Sequence, residues 1–458
     1  MAVALFACCV SKVPAQSAPP VRITTQYAAP LVNPRVSIGQ ARDTAGETAY
    51  TAAYFMCEGG SLCLSDGTVE GTRRVGDIYA PVDIAPIPDA IGAYFICSAP
   101  FPDGYQLCYT DGTEAGTYEL TELVPLFPEG LRKIFGFLQG RVIVGTALDR
   151  VVVTDGTPEG TETVLPARSG GGTLRISIGL TQAFAYREEA SGNSLWRIGL
   201  TAADTRDLTP DLQPYFFSRS VMAIGDSACF DAGVSEVGGQ LEVGLYCTDG
   251  TVEGTSPMPV DADHWELGVR DPVQFQRFGS QLFFVAAAAP PGTSGQIYVL
   301  PWVTDGTQAG TYRLGWEYAP EYSFIGTTDG QVYFSGFPAA QTDLWRTDGT
   351  TEGTREVSGE PWSVAAHFPG NDAVNPVYAG AAFFVSSDFQ DWRVQRSNGT
   401  ADGTYQLPIP SEAEYWQADS DVTPGIVGTH LLIAASGSFS LDLWSYDLDP
   451  IFSSGFDR

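Results

Sequence analysis

Few residues in this 458-residue sequence have the type and spacing that chemistry needs. Its three histidines, His264, His367 and His430, stand far apart with no metal-ligand spacing between them. They read as surface histidines or as loop histidines with a hydrogen-bond partner. No Gly-x-Ser-x-Gly, His-Glu-x-x-His or phosphate-binding loop occurs. Aspartate and glutamate together number 54, so a carboxylate pair for glycoside cleavage is open, but none stands out. No catalytic residue is assigned. The aromatic residues offer a pattern instead. Trp265, Trp316, Trp362 and Trp416 recur along the second half, with Tyr318 and Tyr415 beside them. Aromatic rings among carboxylates suit sugar stacking and cation recognition. The competing reading is packing between structural units.

The elements that must position these residues follow from an internal repeat. The octad Ser/Thr-Asp-Gly-Thr-x-x-Gly-Thr occurs at 65–72, 110–117, 154–161, 248–255, 304–311 and 347–354. An asparagine variant sits at 397–404, a decayed copy keeps Thr201 and Thr205, and a truncated copy follows Trp444. Successive copies lie 43 to 56 residues apart. A period near 45 predicts four-stranded propeller blades. Within 322–358 the strands read as 322–327, 331–334, 343–346 and 354–357, each short and β-branched or aromatic. No segment has helical periodicity. The fold class is therefore all-β, a propeller of nine four-stranded blades, with eight as the alternative. A strand at 21–27 is placed to pair with 441–444 and close the ring, which removes exposed sheet edges.

The octad falls between the third and fourth strands of each blade. Asp-Gly is a tight-turn signal, because glycine accepts positive φ. Asp66, Asp111, Asp155, Asp249, Asp305, Asp348 and Asn398 are read as structural turn residues whose side chains accept backbone N–H groups. Calcium is the alternative, but each copy supplies one firm carboxylate where calcium takes six to eight oxygens. Asn398 favours the turn. In position and logic the octad resembles the Asp-box turn of sialidase-type propellers. Leu344-Trp345-Arg346-Thr347-Asp348-Gly349-Thr350 resembles the signature of the ELWxxDGT-repeat family of bacterial secreted proteins. The resemblance implies secretion and a repeat fold, and no particular reaction. This sequence departs from it in the fourth copy, which lacks the aspartate, and in copies without the tryptophan.

The repeat also orders the cysteines. Six lie beyond the N-terminal run and allow 15 pairings. Register selects Cys57 with Cys63, Cys97 with Cys108 and Cys229 with Cys247, each joining strand two to strand three within a blade. Such bridges need an oxidising compartment. The same register places Trp265, Trp316, Trp362 and Trp416 after the octads, towards the opposite face. Trp196, Trp345 and Trp444, in third strands, are read as structural.

Composition sets the remaining bounds. Net charge is −30, from 54 acidic and 24 basic residues, which disfavours nucleic acid and anionic membrane. No apolar run is long enough for a transmembrane helix. Residues 1–20 resemble the end of a secretory signal, with cleavage near Ala15 or Ala18, although Leu5-Phe6-Ala7-Cys8 also resembles a lipoprotein acylation box. The domain assignment is a leader at 1–20, one propeller at 21–449 and a short tail at 450–458. The sequence thus predicts a monomeric secreted, periplasmic or cell-surface scaffold without a cofactor. It binds a glycan or an extracellular protein through loops on one face. The alternatives are a secreted polysaccharide hydrolase and a purely structural surface protein.

Overall fold

The computed structural model describes residues 20–23, 37–42, 48–57, 60–76, 78, 81–88, 90–98, 104–168, 172–188, 193–209, 220–237, 240–258, 269–288, 298–314, 322–328, 330–336, 343–358, 377–387, 392–408, 417–418, 425–436 and 441–449. The fold is all-β: nine four-stranded antiparallel blades arranged in a ring. Blades one to eight span 37–74, 82–119, 131–165, 174–207, 221–257, 270–313, 322–358 and 377–406. Blade nine spans 417–447 and takes its outer strand from Val21–Arg22.

Blade three shows why these residues form strands. Its four strands are Leu131–Leu138, Arg141–Thr146, Val151–Thr154 and Glu162–Leu165. The two middle ones are near-continuous β-branched runs and not alternating ones, and Val151–Thr154 is buried throughout. A blade is covered on both faces by its neighbours, so both sides of a middle strand must be apolar. The outer strands are short and solvated, as at Arg73–Arg74. First strands of successive blades touch one another from blade one to blade seven, and Gly425–Val427 of blade nine meets the first two strands of blade one. Strand three of blade six runs Tyr298–Thr304. Pro301 is tolerated there because the strand uses only its carbonyl, which accepts the Leu314 N–H at 3.0 Å.

The core is a ring of wedges, one between each pair of blades. Tyr54, Leu64 and Phe95 pack between blades one and two, and Ile96, Leu131 and Val142 between two and three. Phe275, Phe284 and Trp302 stack between five and six, with centroid separations of 5.3 and 6.3 Å. Phe383, Leu431, Trp444 and Phe55 form one continuous wedge across blades eight, nine and one. Trp345 packs on Phe334 at 6.3 Å, and Trp196 packs against the wedge between blades three and four.

Ring closure rests on a short pairing. Val21 and Arg22 pair with Ser445 and Trp444, and the Ile23 N–H donates to Leu443 O at 3.0 Å. Ile23 is buried in the closing wedge. Arg22 Nη2 lies 2.7 Å from Asp442 Oδ1. The rest of the expected closing strand, 24–27, residues 1–19 of the expected leader and the expected tail fall outside the described residues.

Three disulfides join strands two and three, Cys57–Cys63, Cys97–Cys108 and Cys229–Cys247. The first two cross diagonally, since Cys63 faces Phe55 and Cys108 faces Phe95 in the register. Cys229 and Cys247 are direct partners, with Cα atoms 4.1 Å apart. Their octad spacing differs by one residue, and in a strand that turns the side chain to the other face. Accordingly, the first two bridges lie in the wedge towards the preceding blade and the third in the wedge towards blade six. Replacing Cys229 and Cys247 together by alanine is expected to cost about 3 kcal/mol in urea unfolding, from the chain entropy of a closed loop of this size. An unchanged midpoint would show that the pair contributes no cross-link.

Candidate functional site

The two faces of the ring are built differently. On one face the connections between strands three and four are all seven residues long in blades one to eight, and those between strands one and two are 2 to 6 residues. On the other face the connections between blades run from 7 to 18 residues. The first face is uniform and the second variable.

The uniform face is a set of hydrogen-bonded staples. In the first octad, Asp66 Oδ1 accepts the Thr68 N–H at 2.9 Å and the Thr68 hydroxyl at 2.8 Å. The Gly71 N–H donates to Thr68 Oγ1 at 2.9 Å, and the Thr72 hydroxyl donates to Thr68 O at 2.5 Å. Ser65 Oγ accepts the Gly67 N–H at 3.0 Å and joins Thr72 Oγ1 at 2.7 Å. Every fixed position of the motif is thereby used. Gly67 adopts φ +93°, and a Cβ at Gly71 would lie 2.0 Å from Asp66 Oδ1. Asp111, Asp155, Asp249, Asp305 and Asp348 repeat the aspartate bonds. Asn398 accepts the Thr400 N–H at 3.1 Å and its hydroxyl at 2.7 Å, so an amide oxygen fills the same role. The threonine hydroxyl, and then its N–H, holds the carboxyls of Asp111, Asp155, Asp249 and Asp348 below their ordinary value of 3.8. Among the described residues no group of three or more His, Cys, Asp or Glu converges in an arrangement that could hold a metal ion.

The fourth copy keeps its staple by transposition. Gly199 stands where the aspartate belongs, and Asp204 stands where the second glycine belongs. The Thr201 hydroxyl donates to Asp204 Oδ2 at 2.7 Å, and the Thr205 hydroxyl donates to Thr201 O at 3.0 Å. A Cβ on Gly199 would lie 2.4 Å from that of Asp204. Carboxylate and glycine have exchanged sides of one turn. The truncated ninth copy retains one bond, from the Asp449 N–H to Asp447 Oδ1 at 3.2 Å.

The octads of blades two, three, four and seven also dock on the preceding blade. Arg73 Nη2 donates to Gly112 O at 2.7 Å, Tyr94 Oη to Asp155 O at 3.0 Å, and Tyr312 Oη to Gly349 O at 2.7 Å. Glu162 Oε1 accepts the Ala202 N–H at 2.8 Å. His430 packs against Gly67, where a Cβ would approach to 2.4 Å, so this histidine is a closing contact between blades nine and one. Burial pushes the Tyr333 phenol, which faces Ser397 O, up to about 12.

On the variable face the described residues include one buried ion cluster in blade three. Asp149, at φ +54°, receives Arg168 Nε at 3.0 Å and Nη2 at 2.6 Å, and Arg132 Nη1 lies 3.3 Å away. The Arg168 and Asp149 side chains are 4% and 9% exposed. Arg150 binds Glu129 Oε1 at 2.7 Å and Leu126 O at 2.6 Å. These bonds tie the turn between strands two and three to both neighbouring blade connections. The positive φ of Asp149 gives no signal in sequence, and the cluster was missed there for that reason. Trp265, Trp316, Tyr318, Trp362, Tyr415, Trp416, His264 and His367 lie outside the described residues. In the chain, all eight fall between an outer strand and the next first strand.

No family model matches the chain, and no curated protein matches it. Solved propeller-containing structures are similar at low identity. Puromycin hydrolase matches at 14% identity and TM-score 0.37, over 78% of this chain and 58% of its own. A puromycin-hydrolyzing peptidase of Mycobacterium tuberculosis matches at 10% and 0.42, over 81% of this chain and 51% of its own. The β-propeller domain of the Trilobed protease from Pyrococcus furiosus matches at 8% and 0.38, over 80% and 95%. The chain thus spans little more than half the length of the two hydrolases, and likeness at this level carries no conclusion about activity.

Three outcomes follow from these geometries. Asp204→Gly is expected to cost about 1 kcal/mol, like the loss of a capping side chain, and adding Gly199→Asp is expected to recover it. Thermal melting of the single and double variants decides this. The lowered octad carboxyls mean that the unfolded chain takes up protons first on acidification. Their contribution is fully present above the ordinary carboxyl range and is lost as pH falls through the lowered folded values. The urea midpoint should therefore drop below about pH 4, and less steeply when Asp155, Asp249 and Asp348 are all asparagine. Finally, Arg168→Met leaves Asp149 short of its main partner and should cost about 3 kcal/mol; a cost under ~0.5 kcal/mol would show the pair to be solvated.

Proposed function

We infer that the protein is an extracellular repeat scaffold that binds a glycan or protein ligand through the connections of its variable face. The asymmetry of the ring carries this reading. Seven-residue staples hold one face to a single design, while the opposite connections vary from 7 to 18 residues. Recognition is carried by loops that a rigid scaffold positions. The four tryptophans fall in four of those connections, and stacking on sugar rings is chemistry that their indoles supply. Three disulfides support a place in an oxidising compartment, and no helix among the described residues is long and apolar enough to cross a membrane. The likeness of Leu344 to Thr350 to ELWxxDGT repeats supports secretion. No catalytic residue is assigned, and fold likeness alone does not supply one.

A broad glycan array tests the reading. The wild type is compared with a variant carrying Trp265→Ala, Trp316→Ala, Trp362→Ala and Trp416→Ala, shown to be folded by circular dichroism. Binding that weakens at least tenfold in the variant is the expected result. Equal binding by both proteins would return the tryptophans to a packing role.

A further inference from the structure

The repeat supplies its own controls for an opening on the uniform face. In blades three, four and eight an arginine beside the octad closes on the carbonyl of its seventh residue. Arg197 donates from Nε and Nη2 to Asp204 O at 3.1 and 2.8 Å, and Arg396 Nη1 donates to Gly403 O at 2.9 Å. Arg141 reaches Gly160 O at 3.4 Å from the neighbouring strand. Arg346 occupies the same position as Arg197 and Arg396, but it turns away. Its Nη1 donates to Gln331 Oε1 at 3.1 Å, and its Nε is enclosed without an acceptor. The guanidinium lies against blade eight, where a Cβ on Gly399 would come 2.3 Å from Nη1. The space it vacates is a cleft of about 310 Å³.

Blade four is the closest comparison. It carries the same three residue types at the same positions: Gln182, Arg197 and Arg206 there, Gln331, Arg346 and Arg355 here. Gln182 and Arg197 are tied down, to Asp249 O and Asp204 O. Gly199 and Ala203 stand in blade four where blade seven has Asp348 and Glu352. Blade seven therefore combines an unfilled cleft with two carboxylates that its counterpart lacks.

We propose that this cleft, lined by Gln331, Arg346, Asp348, Glu352 and Arg355, is a binding subsite for a neutral pyranose sugar. Two guanidiniums and two carboxylates bring no net charge. The lining has no apolar side chain. A ligand must then present hydrogen-bond donors and acceptors side by side without a charge of its own. Vicinal ring hydroxyls do this: one donates to a carboxylate while its neighbour accepts from a guanidinium. Asp348 Oδ1 is taken by the N–H and hydroxyl of Thr350, at 2.9 and 2.7 Å, and Oδ2 takes no bond among the described residues. The volume is at the small end of ligand sites, about 300–1,000 Å³, which suits one ring. A free anion would meet both carboxylates in a protein of net charge −30. The subsite lies on the uniform face, among described residues, and does not rest on the role of the tryptophans.

Saturation-transfer NMR on the full chain tests this with glucose, galactose, mannose and N-acetylglucosamine, beside glutamate and inorganic phosphate as charged solutes. Two variants are used, Glu352→Ala and Arg355→Ala, both exposed side chains whose loss leaves the octad bonds intact. The expected result, read in the four-tryptophan background so that the other proposed site is silent, is transfer to at least one neutral sugar, weakened tenfold or more by each cleft variant. No transfer to any sugar, equal transfer in the cleft variants, or transfer only to the charged solutes would overturn the proposal. Transfer that is already abolished in the four-tryptophan background would assign the sugar to the connections between blades and overturn it equally.

Discussion

A blade of this protein has two apolar faces, and it cannot bury either by itself. That constraint governs the structure. Burial of apolar surface is the main favourable contribution to folding, and here it is distributed over wedges between blades, with no single centre. An open array would leave one apolar face at each end and bare sheet edges beside them. The ring removes both. Val21 and Arg22 supply the outer strand of blade nine, and the wedge through Phe383, Leu431 and Phe55 runs without a break across the closure.

The octads secure what the wedges alone leave free. Packing of flat sheets fixes separation better than it fixes lateral register. Each staple turn is rigid in itself, and a side chain of the preceding blade holds one of its backbone groups. Arg73, Tyr94, Glu162 and Tyr312 do this from four different blades, with three different chemistries. The turn is therefore kept while its partner varies. Blade four shows the same rule from inside the turn: Asp204 and Gly199 have exchanged places, and a carboxylate still meets a threonine hydroxyl. The quantity preserved is a hydrogen-bond pattern, and the sequence order that supplies it is secondary.

This division of labour leaves one face free to differ. The staple face is fixed by short turns, and a side chain that abandons its usual acceptor, as Arg346 does, opens space there. On the opposite face, connection length varies without disturbing the strands. Blade three shows how such connections are tied: Asp149 and Arg168 join them through a buried ion pair. Removing one member of such a pair costs more than the pair itself contributes, because the remaining charge stays buried.

The sequence by itself determined the repeated blade, the strand order and the disulfide pairing, and left nine blades against eight for the structure to decide. All three follow from period and register, which are local properties repeated along the chain. Octads recurring every 43 to 56 residues mark the same turn each time, and the cysteines stand at fixed distances from it. Tertiary structure decided the rest. The one-residue shift in octad spacing turns the Cys229–Cys247 bridge to the opposite face from the other two, but only the packing shows that this face meets blade six. Nothing local says that Asp204 replaces a missing aspartate from the far side of its turn, that Arg168 is buried against Asp149, or that Arg346 leaves a cleft where Arg197 closes one. Each of these depends on which atoms a neighbouring loop or blade brings within hydrogen-bond distance, and a period in sequence carries no record of that distance.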